Sequence, residues 1–193
     1  MRFLILILFT LLYISPIKAQ PWEVNILADI NPETPKQFWK ATSNSTYFIS
    51  VGVPSVQLLS GILQKDKTLQ KKGLQTLGAM AINTAIVQAL KKTTDRERPA
   101  FAYPNLIYTN STERGESFPS GHVSTAFAVA TSLSLEHKKW YITAPAFVWA
   151  GCVGYSRMHV GEHYPSDVAA GAIIGAGSAY LSHWLTKKLF SSK

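Results

Sequence analysis

The sequence predicts an all-α protein, a bundle of five to six helices. Three observations carry that expectation. Five apolar segments, residues 46–63, 74–90, 118–135, 141–158 and 168–185, are each 17 or 18 residues long, too long for ordinary strands. They are rich in Ala, Leu, Ile and Gly. Between them, no useful stretch alternates apolar and polar residues as half-buried strands do.

The elements can be justified in chain order. Met1-Arg2 precedes an apolar stretch from Phe3 to Ile14, then Ser15-Pro16-Ile17-Lys18-Ala19-Gln20. A short charged start, a brief apolar core and a small residue before a polar one describe a signal peptide over residues 1–19, cleaved after Ala19. Ile17 fits the small-residue rule for cleavage poorly, so an uncleaved anchor is the alternative. Either way residue 20 onward begins outside the cytoplasm. Residues 20–45 are polar with three prolines and read as an irregular extracytoplasmic lead-in holding one short amphipathic helix. Residues 46–190 then form one domain, in keeping with 193 residues in all. Cys152 is the lone cysteine, so no internal disulfide forms, and its apolar neighbours make it a small buried side chain.

The five segments sit at the short end of the range for spanning a bilayer, and Gln57, Asn83, Gln88 and His183 interrupt them. With a mean hydropathy of +0.07, this favours a soluble bundle. The charge pattern favours a membrane-embedded one. If residue 46 begins outside and each segment crosses, then Lys65, Lys67, Lys71 and Lys72, then Lys138 and Lys139, then Lys187, Lys188 and Lys193 all fall inside. Small residues at Ser60-Gly61 and the Gly171-x-x-x-Gly175 pair suit close helix packing in lipid. We take the embedded reading as the expectation.

The net charge of +8 calls for anionic partners. No basic run is interleaved with aromatics, which excludes a stacking platform for nucleic acid. Phosphorylated lipids or small phosphate esters remain, with a membrane as the surrounding partner. The sequence sets neither the natural substrate nor the oligomeric state.

The chemistry-bearing residues fall in three clusters on the outer side of this topology. Lys91-Lys-Thr-Thr-Asp-Arg-Glu-Arg98-Pro99 puts four cations and two anions in eight residues at the end of an apolar helix. Alone it reads as a solvated helix terminus; it can also clamp phosphate, since Arg offers a planar fork and Lys a point charge. Phe118-Pro119-Ser120-Gly121-His122 opens the next helix, where Ser120 is placed to cap and free N–H groups attract anions. Ser156-Arg157-Met-His159-Val-Gly-Glu162-His163-Tyr-Pro165-Ser-Asp167 gathers a cation, two histidines and two carboxylates in twelve residues. Asp167 is placed to fix the tautomer of His163.

Lys91-x6-Arg98-Pro99, Pro119-Ser120-Gly121-His122 and Ser156-Arg157-x5-His163-x3-Asp167 resemble, in order, the three motifs of the type 2 phosphatidic acid phosphatase superfamily (PAP2). This superfamily also holds bacterial class A acid phosphatases and vanadium haloperoxidases. Each specified position matches by chance about one time in twenty, so the ordered set is specific. The resemblance covers residues 46–185 with no departure at a motif position. It implies a PAP2/haloperoxidase-like bundle and a phosphatase acting through a phosphohistidine without metal or other cofactor. His163 is then the nucleophile, Asp167 its orienting partner and His122 the general acid. Lys91, Arg98, Ser120, Gly121 and Arg157 are then the phosphate ligands. Lys92 and Arg96 match no motif position and read as surface charges. His159 reads as a packing residue near the site.

The implied substrate is a lipid phosphate or pyrophosphate at the outer face of the cytoplasmic membrane. A soluble periplasmic acid phosphatase of broad specificity is the alternative. A vanadate-dependent haloperoxidase is a third reading that the short chain disfavours. His159-Val-Gly-Glu162-His163 also reads as the H-x-x-E-H zinc pattern, but that needs a continuous helix, which Gly161 and Pro165 oppose.

Overall fold

The structure is a computed structural model and describes residues 19–33, 36–109, 111 and 114–190. The expected signal peptide lies almost wholly outside the described residues. Among the described residues seven helices follow in chain order: α1 Pro21–Ile30, α2 Gln37–Leu63, α3 Lys67–Thr94, the single turn α4 Pro99–Ala102, α5 Gly121–His137, α6 Trp140–His159 and α7 Pro165–Phe190. There is no strand among the described residues, so the fold is all-α as the segment lengths required.

Local chemistry sets the boundaries. Asp66 caps α3, accepting from the N–H groups of Thr68 at 2.8 Å and Leu69 at 3.2 Å. Lys65, Asp95 and Lys138 adopt positive φ where α2, α3 and α5 stop. Pro165 opens α7, where a missing N–H costs nothing. Four of the helices, α2, α3, α6 and α7, outrun the apolar segments that announced them, while α5 does not. At the N-terminal end the difference is largest for α2, which begins at Gln37 rather than near residue 46. Residues 37–45 are therefore helical, not irregular. Their polar inner face, including buried Ser43, gives no apolar periodicity to read.

At the centre α5 packs on α6, α7 and α3, while α2 closes the ring against α3 and α6. Ala126, Ala130, Ala150 and Val153 form the dry seam between α5 and α6. A second small core of Val24, Leu27, Ala100, Ile107 and Tyr164 fastens α1 and α4 over one end of the bundle. The α5–α7 contact depends on missing side chains. A Cβ at Gly175 would stand 2.0 Å from the Ser124 carbonyl oxygen, and one at Gly171 2.7 Å from that of Ser120. The Gly171-x-x-x-Gly175 pair thus brings two backbones together.

The outward surface is apolar. Phe48, Val51, Val56, Leu59, Leu63, Val148 and Ile173 are all more than half exposed, which water penalises and lipid does not. Helices α2 and α7 are each long and apolar enough to cross a membrane. The lysines of the α2–α3 and α5–α6 turns and of the α7 terminus share one end of the bundle. Exposed Trp140 and Tyr141 stand beside Lys138 and Lys139, as interfacial aromatics do. At the other end meet the start of α2, the end of α3, the start of α5, the end of α6 and the start of α7. All three chemistry-bearing clusters lie there.

Candidate active site

His163 follows α6 in a turn made by Gly161, whose φ is +79° and whose Cβ position is filled by the Tyr108 carbonyl. The imidazole is 2 % exposed. Its Nδ1 stands 3.7 Å from Asp167 Oδ2, one turn along on α7. Asp167 is held from several sides. Ser117 Oγ donates to Oδ2 at 2.5 Å, the Tyr164 N–H donates to the same oxygen at 2.8 Å, and Arg96 Nη1 donates to Oδ1 at 2.5 Å. Burial pushes the His163 imidazole down to about 4, helped by Arg157 and Arg98 and opposed by Asp167. The ring is therefore neutral near pH 7, with Nδ1 turned to the carboxylate.

Arg98 and Arg157 converge on one carboxylate, Glu162. Arg98 Nη1 donates to Glu162 Oε2, and Arg157 Nη2 lies 3.6 Å from the same oxygen. Burial alone would raise the Glu162 carboxyl, but the two guanidiniums hold it below its ordinary range. Arg157 also donates to Ser43 Oγ at 2.9 Å, so α2 helps aim it. Lys91 donates to the Glu116 carbonyl, within electrostatic reach of Arg98, Arg157 and Asp167. Arg157, His163, Arg98 and Lys91 all act electrostatically on His122. The structure thus brings Lys91, Arg98, His122, Arg157, His163 and Asp167 to one place.

Ser120 and Gly121 complete it at the head of α5. Ser120 occupies the N-cap position, but its hydroxyl makes no capping bond, contrary to the sequence expectation. Asp167 O instead accepts from the Ser120 N–H at 3.1 Å, which ties α5 to α7. Ser120 Oγ is buried with no hydrogen-bond partner among the described residues, so it remains a donor for an incoming oxygen.

A cavity of about 560 Å³ opens onto this cluster, lined in part by Lys36, Lys40, Tyr47, His122, Arg157 and Glu162. A smaller cleft of about 210 Å³ lies on the other side of His122 and Tyr47, whose rings meet edge to face at 5.0 Å.

Arg96 corrects the sequence reading. It is no surface charge but 4 % exposed. Its guanidinium bridges Asp167 to Glu23 of α1, with Nη2 donating to Glu23 Oε2 at 2.8 Å, and it lies 4.1 Å over the Tyr164 ring. Glu23 also accepts from the backbone and the hydroxyl of Ser166. Sequence reasoning missed Glu23 altogether; only the position of Arg96 between two motif residues hinted at its role. Lys92 is exposed as expected. His159 packs against Tyr155 and Trp39, with ring centroids 5.6 Å from each. The H-x-x-E-H zinc geometry is absent, because α6 ends at His159 and Gly161 turns the chain before His163.

A helical bundle of membrane type gathers at one end the buried imidazole of His163, the half-buried one of His122 and the cations Lys91, Arg98 and Arg157. The chain belongs to the PAP2 superfamily, whose family model matches residues 72–191. It is 34% identical over 87 residues to a lipid A 4'-phosphatase of Bacteroides thetaiotaomicron, covering 44% of this chain and 39% of that one. It is 31% identical over 125 residues to an undecaprenyl-diphosphatase of Sulfolobus acidocaldarius, covering 64% and 60%. The chain thus spans well under two thirds of the first of these relatives. Among solved structures, LpxE of Aquifex aeolicus superposes with a TM-score of 0.69 at 26% identity, over 88% of this chain and 99% of that one.

Proposed function

We propose that this protein is a phosphatase that removes phosphate from a membrane lipid through a phosphohistidine. The observation that supports this best is His163, buried and neutral, with Asp167 behind one nitrogen and the guanidiniums of Arg98 and Arg157 nearby. His163 Nε2 attacks phosphorus and a P–N bond forms as the P–O bond to the leaving group breaks. His122 gives its proton to the departing oxygen, which leaves as an alcohol or a lower phosphate. Water then attacks phosphorus, His122 takes its proton, and orthophosphate departs with His163 restored. Lys91, Arg98, Arg157, Ser120 and the Gly121 N–H supply the positive charge and donors that the transferring group needs.

The lipid substrate rests on two supports. The named relatives act on lipid A and undecaprenyl diphosphate, and the outer face of this bundle suits lipid. The lysine-rich end then faces the cytoplasm and the site faces the extracytoplasmic side. Labelled substrate tests the mechanism. Wild-type protein should trap an acid-labile, base-stable phosphoprotein and release phosphate unchanged by chelator. His163→Ala should lower release by at least about a thousandfold and trap none. Undiminished release by that variant would end the assignment.

A further inference from the structure

We propose that the cleft between α2, α3 and α5 receives the leaving group, and that it selects an alcohol bearing hydroxyl or amide groups, as a sugar does, over a bare hydrocarbon alcohol. This rests on the phosphatase reading above. If His122 protonates the leaving oxygen, the atoms carried by that oxygen lie beside His122. The cleft of about 210 Å³ begins there, with Gly121, Thr46 and Asn83 in its walls.

Two side chains in those walls each carry a buried oxygen whose bonding capacity is unused. Thr46 is 2 % exposed and Asn83 1 %. Thr46 Oγ1 and Asn83 Oδ1 have no hydrogen-bond partner among the described residues. Neighbouring hydroxyls on α2 behave otherwise. Thr42 donates to the Phe38 carbonyl, Ser45 to that of Thr42 and Ser50 to that of Tyr47, while Ser43 accepts from Arg157. Asn83 is oriented rather than loose, since its Nδ2 donates to Ser124 Oγ at 3.2 Å and Thr125 Oγ1 at 3.3 Å on α5. Its amide oxygen is left to accept.

Buried polar atoms without partners are rare and costly. A leaving group carrying hydroxyl or N–H groups would satisfy both Thr46 and Asn83. A prenyl chain would cover them and satisfy neither. Sites that hydrogen-bond a substrate group discriminate strongly against analogues lacking it, whereas apolar pockets discriminate weakly.

The test measures kcat/KM on full-length protein in detergent for two substrates. One is a glycosyl phosphate lipid with free hydroxyl and amide groups on the sugar. The other is farnesyl phosphate. Both are assayed on the same preparation, so their ratio is independent of the fraction of protein that folds. Wild type should favour the glycosyl phosphate at least about tenfold, and Thr46→Val and Asn83→Leu should each lower the ratio about tenfold. A wild-type ratio near one overturns the proposal. So does a ratio that neither variant changes, which would assign both polar groups to bound water or to packing. No phosphate release from either substrate by wild type strikes the phosphatase reading itself, and this proposal with it.

Discussion

Asp167 already accepts from Ser117, Tyr164 and Arg96 before His163 approaches it. At this scale Arg96 is the residue on which most depends, because it neutralises two buried carboxylates at once. Arg96→Ala leaves Asp167 and Glu23 buried without their counter-ion. It should cost about 3–5 kcal/mol, measured by denaturation of the detergent-solubilised protein; a loss under about 1 kcal/mol would mean that water replaces the guanidinium. The depressed His163 value gives a pH prediction. In the proposed mechanism the neutral ring attacks, so activity should be present above about 4 and be lost as pH falls through that value and the ring takes a proton. The kcat/KM profile of the free enzyme should show its acid limb near pH 4. A limb near pH 6.5 would show that the working imidazole is solvated. The motif residues were legible because ordered spacing needs no structure. Glu23 and Arg96 were not, since their meaning lies in a contact between α1, the end of α3 and the start of α7.

The decisive pairing of elements is α5 with α7. Gly175 lies so close to the Ser124 backbone that any side chain must push the helices apart. Ser120 and Asp167, which face each other at the heads of these helices, would separate with them. Gly175→Leu should therefore abolish extractable folded protein or destabilise it by at least about 3 kcal/mol, read by gel filtration and thermal unfolding. Unchanged behaviour would mean that α7 packs elsewhere. Helix existence was legible from apolar length, and helix extent was not. Residues 37–45 turn polar groups toward the site, so the usual core-facing periodicity is missing where α2 contributes Ser43 and lines the larger cavity with Lys40 and Asn44.

For the whole molecule, the sequence held opposing signals: short spans and low mean hydropathy against the lysine pattern. The structure explains the low hydropathy. Polar residues such as Gln57, Gln75 and Thr76 turn inward, where Gln57 and Thr76 donate to Glu136 at 2.7 Å and 2.9 Å, while apolar side chains cover the outside. An average over the chain conceals that inversion. The protein should stay with membranes through salt and alkali washes and be released by detergent. Its recovery in an alkali wash without detergent would contradict an embedded bundle.

The grip of Glu162 on Arg98 and Arg157 bears on turnover. In the proposed reaction, an arriving phosphate group would compete with a resident counterion instead of meeting bare charge, and departing orthophosphate would be displaced as that carboxylate returns. On that proposal, the same exchange would weaken product inhibition and moderate substrate affinity, favouring throughput over tight capture.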